Sequence, residues 1–449
     1  MNKEKIDILT IEVGSTITKV NGFQYHPDDR LKHAVQGFAA TSVAQGDVKI
    51  GVDAALADIN GKFSCNYEGA EVFVNSSAAG GLRMTVHGLT YNMTARAARE
   101  ASLGAGAIIK MVTAGVLTNY DLNEIKAIRP NMILLAGGVD FGARDAVLEN
   151  AMALKELKLS VPMLYAGNSA IRKNIQELFF SSGAELIIAP NVFPDVDVLN
   201  VEPLRKIIQD AFSKHIVHAP GMEKLSELTS NRILPTPGAV LKAAEIFSEN
   251  FGDILVIDVG GATTDVHSVT EGSREFSDKL VDPEPKAKRT VEGDLGVFIN
   301  ARNVFELDED PQLREKIKDV RALPMTDAEK SLTRRLCSRA VEVGVRRHAG
   351  TISEIFTPTG RKQIIRGKDL TAVKWVIGTG GALTKIEGGE EILKNICTGP
   401  GKYLFPKSDA AIILDKNYLF SALGTIAVRY SSLVGKTFRH WVENVGKFE

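Results

Sequence analysis

Cysteine is almost missing from this chain: Cys65, Cys337 and Cys397 are far apart and odd in number. They form neither a disulfide framework nor a C-x-x-C metal or cluster motif, and a reducing cytoplasm suits them best. No stretch is long and apolar enough to span a bilayer, and Met1 to Asp7 alternates charge with no apolar signal core. Neither a secretory leader nor a membrane span is therefore expected. Neither charge sign is in excess, with 54 Lys+Arg against 55 Asp+Glu and a net charge of -1. No global field then draws the protein to nucleic acid or to an anionic membrane. Two further absences narrow the chemistry. Without G-x-x-x-x-G-K-[ST] the P-loop NTPases are excluded, and without H-E-x-x-H the residues His26, His33, His87, His215, His218 and His267 read as ordinary core or surface histidines.

What is present is ordinary soluble-protein material, 44% hydrophobic and 24% charged over 449 residues. At roughly 100 to 200 residues per domain that length allows several domains. The 40 glycines tend to fall where short apolar runs end, as in α/β proteins with tight strand-to-helix turns. Ile6 to Phe23 reads as a β-hairpin turning at Gly14-Ser15-Thr16. Buried-strand candidates follow at Glu71 to Val74, Met132 to Leu135, Val161 to Tyr165 and Glu185 to Ile188, with helices at Thr94 to Gly104, Ala143 to Leu157 and Ile171 to Ser181 between them, which predicts parallel βαβ units. Val201 to Phe212 and Pro237 to Glu249 read as helices. A second strand-turn-strand unit spans Ile254 to Val269. Asp282 to Lys288 reads as an exposed loop and Asp308 to Met325 as peripheral. Thr326 to His348 is a helix with a Thr-Asp-Ala-Glu start and Leu332, Leu336, Ala340 and Val343 on one face. Strands at Lys374 to Ile377 and Ala411 to Leu414 and C-terminal helices complete the chain.

Two segments match in pattern: Ile11-Glu12-Val13-Gly14-Ser15-Thr16-Ile17-Thr18-Lys19-Val20 and Ile257-Asp258-Val259-Gly260-Gly261-Ala262-Thr263-Thr264-Asp265-Val266. Each is an apolar strand, an acid, a glycine turn, a hydroxyl cluster and a second strand. Glycines let backbone N–H groups approach phosphate oxygens, hydroxyls add donors, and a strand-end carboxylate can hold Mg²⁺ through water. Gly14, Ser15, Thr16, Lys19, Gly260, Gly261, Thr263 and Thr264 are thus phosphate-binding candidates, with Asp258 and Glu12 as catalytic and metal-anchoring acids. A third segment, Trp375 to Thr384, is an apolar strand entering Gly378-Thr379-Gly380-Gly381. Gly378, Gly380 and Gly381 offer bare backbone to a purine or ribose, and their spacing is not the dinucleotide fingerprint.

The ordered trio of two phosphate hairpins and an adenosine turn resembles the actin, sugar kinase and heat-shock chaperone ATPase superfamily. That resemblance implies a two-lobed α/β fold of duplicated, ribonuclease H-like domains. The expected division is a first lobe over residues 1–250 with a βαβ elaboration at about 71–200, a second lobe over 251–414, and C-terminal helices at 415–449 returning to the first. Further segments resemble the glutamate mutase accessory proteins, the MutL type of the mutase operons, unrelated to the mismatch-repair protein of that name. They are Pro235-Thr236-Pro237, Gly252 to Val269, Arg289 to Gly296, Arg347-His348-Ala349-Gly350, Gly367 to Thr371, Ser76 to Leu82, Leu135 to Asp140 and Tyr165 to Asn168. The resemblance implies an ATP-dependent reactivating chaperone that frees damaged cobalamin from an adenosylcobalamin-dependent mutase, with ATP/ADP and Mg²⁺ as cofactors and mutase subunits as partners. One departure is Glu12, where the superfamily usually has Asp. A small-molecule kinase and an actin-like assembly ATPase remain as alternatives.

Three other groups carry weaker signals. Glu292 and Asp294 read as opening a helix, which the superfamily resemblance implies faces the nucleotide, and are ribose or metal candidates. His348 closes a helix rich in Arg334, Arg335, Arg339, Arg346 and Arg347, read as a solvated basic face. Ser76-Ser77 is a candidate third phosphate-like loop, although Ser-Ala-Gly strings usually mark tight packing.

Overall fold

The computed structural model describes residues 3–444 apart from 79–80, 181–182, 308–315 and 359. Ala79 and Gly80 of the Ser-Ala-Gly string, Ser181 of the expected helix and the start of the charge-dense stretch lie outside the described residues. The rest of that stretch, 316–325, is mostly exposed.

The first hairpin forms as its alternation predicts. β1 (Ile8–Val13) and β2 (Ile17–His26) pair antiparallel with Glu12 opposite Lys19, and β3 (Arg30–Ala40) pairs antiparallel with β2. Helix α1 (Val48–Lys62) starts on Asp47, whose carboxylate accepts from the Lys49 amide, and buries Val48, Val52, Ala55 and Ile59. Strand β4 (Glu71–Ser76) then lies parallel to β1 on its other side. This corrects the sequence reading, which put Glu71 to Val74 at the head of the elaboration. A parallel strand buried on both faces looks alike in sequence whichever sheet receives it.

The elaboration has its own sheet, and its strands and helices alternate: β5 (Arg83–Gly88), α2 (Arg96–Gly104), β6 (Ile108–Ala114), α3 (Asn119–Ile128), β7 (Met132–Leu135), α4 (Asp145–Glu156), β8 (Met163–Tyr165), α5 (Arg172–Phe179) and β9 (Leu186–Ile188). All its pairings are parallel, in the order β9-β8-β7-β5-β6. This is an open, doubly wound order whose direction reverses between β5 and β7. A π-turn at Tyr91–Ala95 precedes α2. Strands β5 and β6 and helix α3 were not anticipated from the sequence.

Helix α6 (Val201–Ile216) leads back to β10 (Leu234–Pro235), which pairs parallel with β4, and α7 (Thr236–Phe251) follows with proline in its first turn. The second unit comprises β11 (Ile254–Val259), β12 (Thr264–Val269), β13 (Ala287–Glu292), α8 (Asp327–His348), β14 (Trp375–Thr379), β15 (Ala411–Leu414) and α9 (Phe420–Glu443). Its sheet runs β13-β12-β11-β14-β15, and the first runs β3-β2-β1-β4-β10. Each is an antiparallel three-strand meander with two parallel strands added beyond its first strand. The faint repeat in sequence is therefore a repeat of fold, and the chain is a two-lobed actin-like α/β protein with an elaborated first lobe.

Helix α8 begins with a reciprocal capping box between Thr326 and Glu329 and buries Leu332, Leu336, Ala340 and Val343, as its pattern predicts. The C-terminal segment holds two helical stretches that meet at a kink at Tyr430, with φ −123° and ψ 52°. It returns to the first sheet: Thr425 Oγ1 accepts from Asn75 Nδ2 at 2.9 Å, Thr437 Oγ1 from the Leu31 amide at 2.9 Å, and Glu71 takes Arg429 at 2.6 Å and Tyr430 at 2.7 Å. Between the lobes α7 and α9 enclose an apolar cluster that includes Ile8, Phe73, Phe247, Val256, Ile377, Phe420, Phe438 and Trp441.

The Asp282 to Lys288 segment is not the exposed loop expected. Arg96 of α2 reaches Glu284 at 2.6 Å and Asp282 at 3.6 Å, Lys288 reaches Glu284 at 2.8 Å, and the Glu284 side chain is only 6% exposed. Charge density looks solvated in sequence. Here the compensating arginine comes from a helix far away in the chain.

Candidate nucleotide site

The first hairpin turns tightly. The Gly14 amide donates to the Ile17 carbonyl at 3.0 Å, and a Cβ at Gly14 would lie 2.6 Å from that oxygen, so only glycine fits. Ser15 and Thr16 remain exposed at the turn. Behind it Lys19 Nζ meets Glu12 Oε1 at 2.6 Å and lies 4.7 Å from the centre of the Tyr418 ring. The other Glu12 oxygen accepts from Ser421 Oγ of α9 at 2.5 Å.

In the second hairpin Asp258 stands opposite Asp265 across β11 and β12, and beside Thr379 across β11 and β14. The Gly260 amide closes the turn on the Thr263 carbonyl at 2.9 Å, and Gly261 is exposed. Thr263 Oγ1 donates to Asp265 Oδ2 at 3.3 Å. Thr264, a phosphate-binding candidate, is fully buried and donates its hydroxyl to the Leu295 carbonyl at 2.7 Å, so it supports the hairpin from behind.

The third, glycine-rich turn packs on the catalytic candidate itself. Gly380 has φ +88°, and a Cβ there would lie 2.4 Å from the Val259 carbonyl oxygen and 2.6 Å from Asp258 Oδ1. Gly381 is exposed near the Tyr418 hydroxyl, whereas Gly378 is buried under Leu383, Leu393 and Leu414 and has a packing role. Gly380→Ala combines backbone strain with a clash at the site. We expect it to weaken nucleotide binding by about tenfold or more, measured by calorimetry; unchanged affinity would separate this turn from the site.

Electrostatics tie the two hairpins together. Burial pushes the Asp258 carboxyl up to about 7, with Asp265, Glu12 and Asp415 adding to the rise and Lys19 opposing it. Burial alone would lower Lys19, but Glu12 and Asp258 outweigh it and hold the ammonium above its ordinary value. Glu12 and Lys19 of the first hairpin thus lie within the field of Asp258 of the second. Asp265 has a cation partner, Arg289, with Nε at 2.8 Å and Nη2 at 2.6 Å. Asp415 is held by neutral donors, the Leu419 and Phe420 amides at 2.9 Å and Thr379 Oγ1 at 3.1 Å.

The acids outnumber the cations here, and a divalent cation would correct that deficit. Mg²⁺ fits the all-oxygen donor set, and Asp258 and Glu12 would hold it through water. Among the described residues no group of three or more His, Cys, Asp or Glu is arranged as direct ligands. Ser15, Thr16 and Gly261, exposed at the two turns, are the residues there that could offer donors to phosphate oxygens.

Other expected residues fall elsewhere. Glu292 ends β13 and Asp294 sits in the turn after it, while the next helix starts at Ala301, so neither opens a helix. Both bind Arg347, Glu292 at 2.6 Å and Asp294 through both oxygens at 2.8 and 2.9 Å. Arg347 holds the Asp294 carboxyl below its usual range, whereas burial raises Glu292. The carboxylates that suggested a helix start instead serve a bidentate ion pair. His348 is not on the solvated face of α8. Its ring is buried between Ser268 Oγ at 2.8 Å and Thr290 Oγ1 at 3.0 Å, because its place on the helix turns it toward the second sheet. Ser76 is buried and donates to the Val13 carbonyl at 3.1 Å, so that string braces the first hairpin. Asp265, Asp415, Tyr418 and Ser421 were missed. Asp265 lies inside the second motif and Asp415 directly follows a predicted strand, which was the available signal.

The family model described as MutL protein matches residues 8–442. Over 449 aligned positions the chain is 35% identical to "Protein MutL" of Clostridium tetanomorphum, covering 93% of this chain and 95% of that protein. Among solved structures, nucleotide-free acetone carboxylase superposes with a TM-score of 0.42 at 12% identity, covering 94% of this chain and 70% of that one. A nucleotide-free diol dehydratase-reactivating factor gives 0.38 at 12% identity, covering 95% and 100%. These superpositions are too loose to bear on function. The match along almost the whole length and the sequence identity show that this chain belongs to the MutL protein family.

Proposed function

We propose that this protein binds and hydrolyses Mg-ATP and uses the cycle to reactivate an adenosylcobalamin-dependent mutase of the glutamate mutase type, releasing damaged cobalamin. The observation that carries the nucleotide half is the close approach of the Gly380 turn to Asp258, whose carboxyl also feels the charges of Glu12 and Lys19. Mg²⁺ would neutralise phosphate charge. Lys19 adds a fixed positive charge, the turn amides hold phosphate oxygens, and Asp258, poised near neutral pH, orients or deprotonates the attacking water. Glu12 holds Lys19 in place through their 2.6 Å contact.

The partner half rests on the family and on one surface. Because the inserted sheet is all parallel, the loops after its strands share one edge. These loops, with the π-turn and the first turn of α3 that follow two of them, expose Tyr91 at 63%, Tyr120 at 76%, Phe141 at 77% and Val196 at 60%. Nucleotide can drive release only if its two states bind the mutase with different affinity.

The test is to inactivate a candidate mutase with hydroxocobalamin, then add this protein, Mg-ATP and fresh adenosylcobalamin. Recovery of activity that requires ATP is expected. ATP-dependent phosphorylation of a metabolite with no recovery would instead make the protein a kinase.

A further inference from the structure

Arg289 joins two parts of the molecule. On β13 it is 3% exposed, and its Nε and Nη2 hold Asp265 Oδ1. Its Nη1 donates to the Leu103 carbonyl at 2.9 Å, in the last turn of α2. That carbonyl belongs to the negative end of the helix, where a cation is favoured. Helix α2 is the crossover between β5 and β6 of the inserted sheet. On the other side of Asp265, Oδ2 accepts from Thr263 Oγ1 at 3.3 Å, in the exposed phosphate turn. One carboxylate therefore touches the turn with one oxygen and the arginine with the other.

The geometry points to a relay, Thr263 to Asp265 to Arg289 to the C-terminal end of α2, by which occupancy of the second phosphate turn changes the grip on the inserted domain. It rests on the nucleotide site proposed above. A phosphate that draws the Thr263 hydroxyl frees Asp265 Oδ2 and lets the carboxylate and Arg289 rearrange together. Arg289 is then a positioning residue and touches no nucleotide. The N-terminal end of α2 is held separately, by Arg96 on Glu284 at 2.6 Å and on the Pro283 carbonyl at 2.7 Å. The response should therefore be confined to the C-terminal end of α2 and the amides after it. There Ala105 donates to Ala101, Gly106 to Leu103 and Ala107 to Ser102.

Hydrogen–deuterium exchange on the full chain, with and without saturating Mg-ADP or Mg-ATP, tests this, with calorimetry reporting nucleotide affinity on the same samples. In the wild type, exchange at the amides of Ala105, Gly106 and Ala107 should change by about threefold or more on nucleotide binding, and the N-terminal turn of α2 should not. Arg289→Met and Arg289→Lys should lose that change while their affinity stays within about threefold of wild type. The lysine variant keeps a charge for Asp265 and serves if the methionine variant does not fold. A wild type that binds nucleotide without the exchange change, or variants that retain it, would overturn the relay. A wild type that binds no nucleotide in calorimetry would overturn the site reading, and the relay with it.

Discussion

Asp258→Asn is expected to lower ATP turnover by about 100-fold or more and, in the same protein, to raise stability at pH 8. The activity loss follows from removing an acid that feels the charges of the first hairpin and packs against Gly380 of the third turn. The stability gain follows from its pKa. Below pH about 4 the carboxyl is protonated in both folded and unfolded chains. Between there and about 7 the unfolded chain ionises while the folded one resists, so stability falls as pH rises through that window, and above it the full cost remains. A neutral amide of the same shape removes that cost, of order 2 kcal/mol or more at pH 8 and little at pH 4. Urea titrations at both pH values, beside a phosphate-release assay, read the two effects. Turnover near wild type would remove Asp258 from the catalytic site, and an unchanged midpoint at pH 8 would show that its carboxylate is not strained. Glu12→Gln should cost less turnover, since Glu12 acts through Lys19.

Gly424→Ala should destabilise the protein by about 3 kcal/mol or more, against the direction that helix propensity alone predicts. Gly424 lies within α9, where alanine would ordinarily be preferred by about 1 kcal/mol. A Cβ there, however, would stand 1.9 Å from the Ala239 carbonyl oxygen and 3.0 Å from the Ala243 amide of α7. No rotamer relieves a clash with backbone. The two helices must part, which opens the cluster of Phe247, Phe420, Phe438 and Trp441 that both lobes share. The shift of the urea midpoint checks this, and a midpoint equal to or above wild type would refute the close approach.

The parts of the site readable in sequence were those whose chemistry is local. Gly14 and Gly260 sit in hairpins whose partner strands are adjacent in the chain, and the Thr326 cap announces α8 within four residues. The structure departs from the helix start read at Glu292 and Asp294 and from the solvated face read at His348 for the opposite reason. Arg347, which takes both acids, and Ser268 and Thr290, which enclose the histidine ring, approach them from other segments.

The sequence by itself determined the two matching glycine hairpins, the glycine-rich third turn and much of the strand-helix alternation, because backbone conformation and hydrophobic period are set over a few residues. Tertiary structure alone decided which sheet took Glu71–Ser76, that Asp282 to Lys288 is tied to α2, and that Asp258 shares a field with Glu12 and Lys19. Those outcomes depend on long-range pairing and on desolvation. A charged or apolar run carries no record of which distant partner will remove it from water.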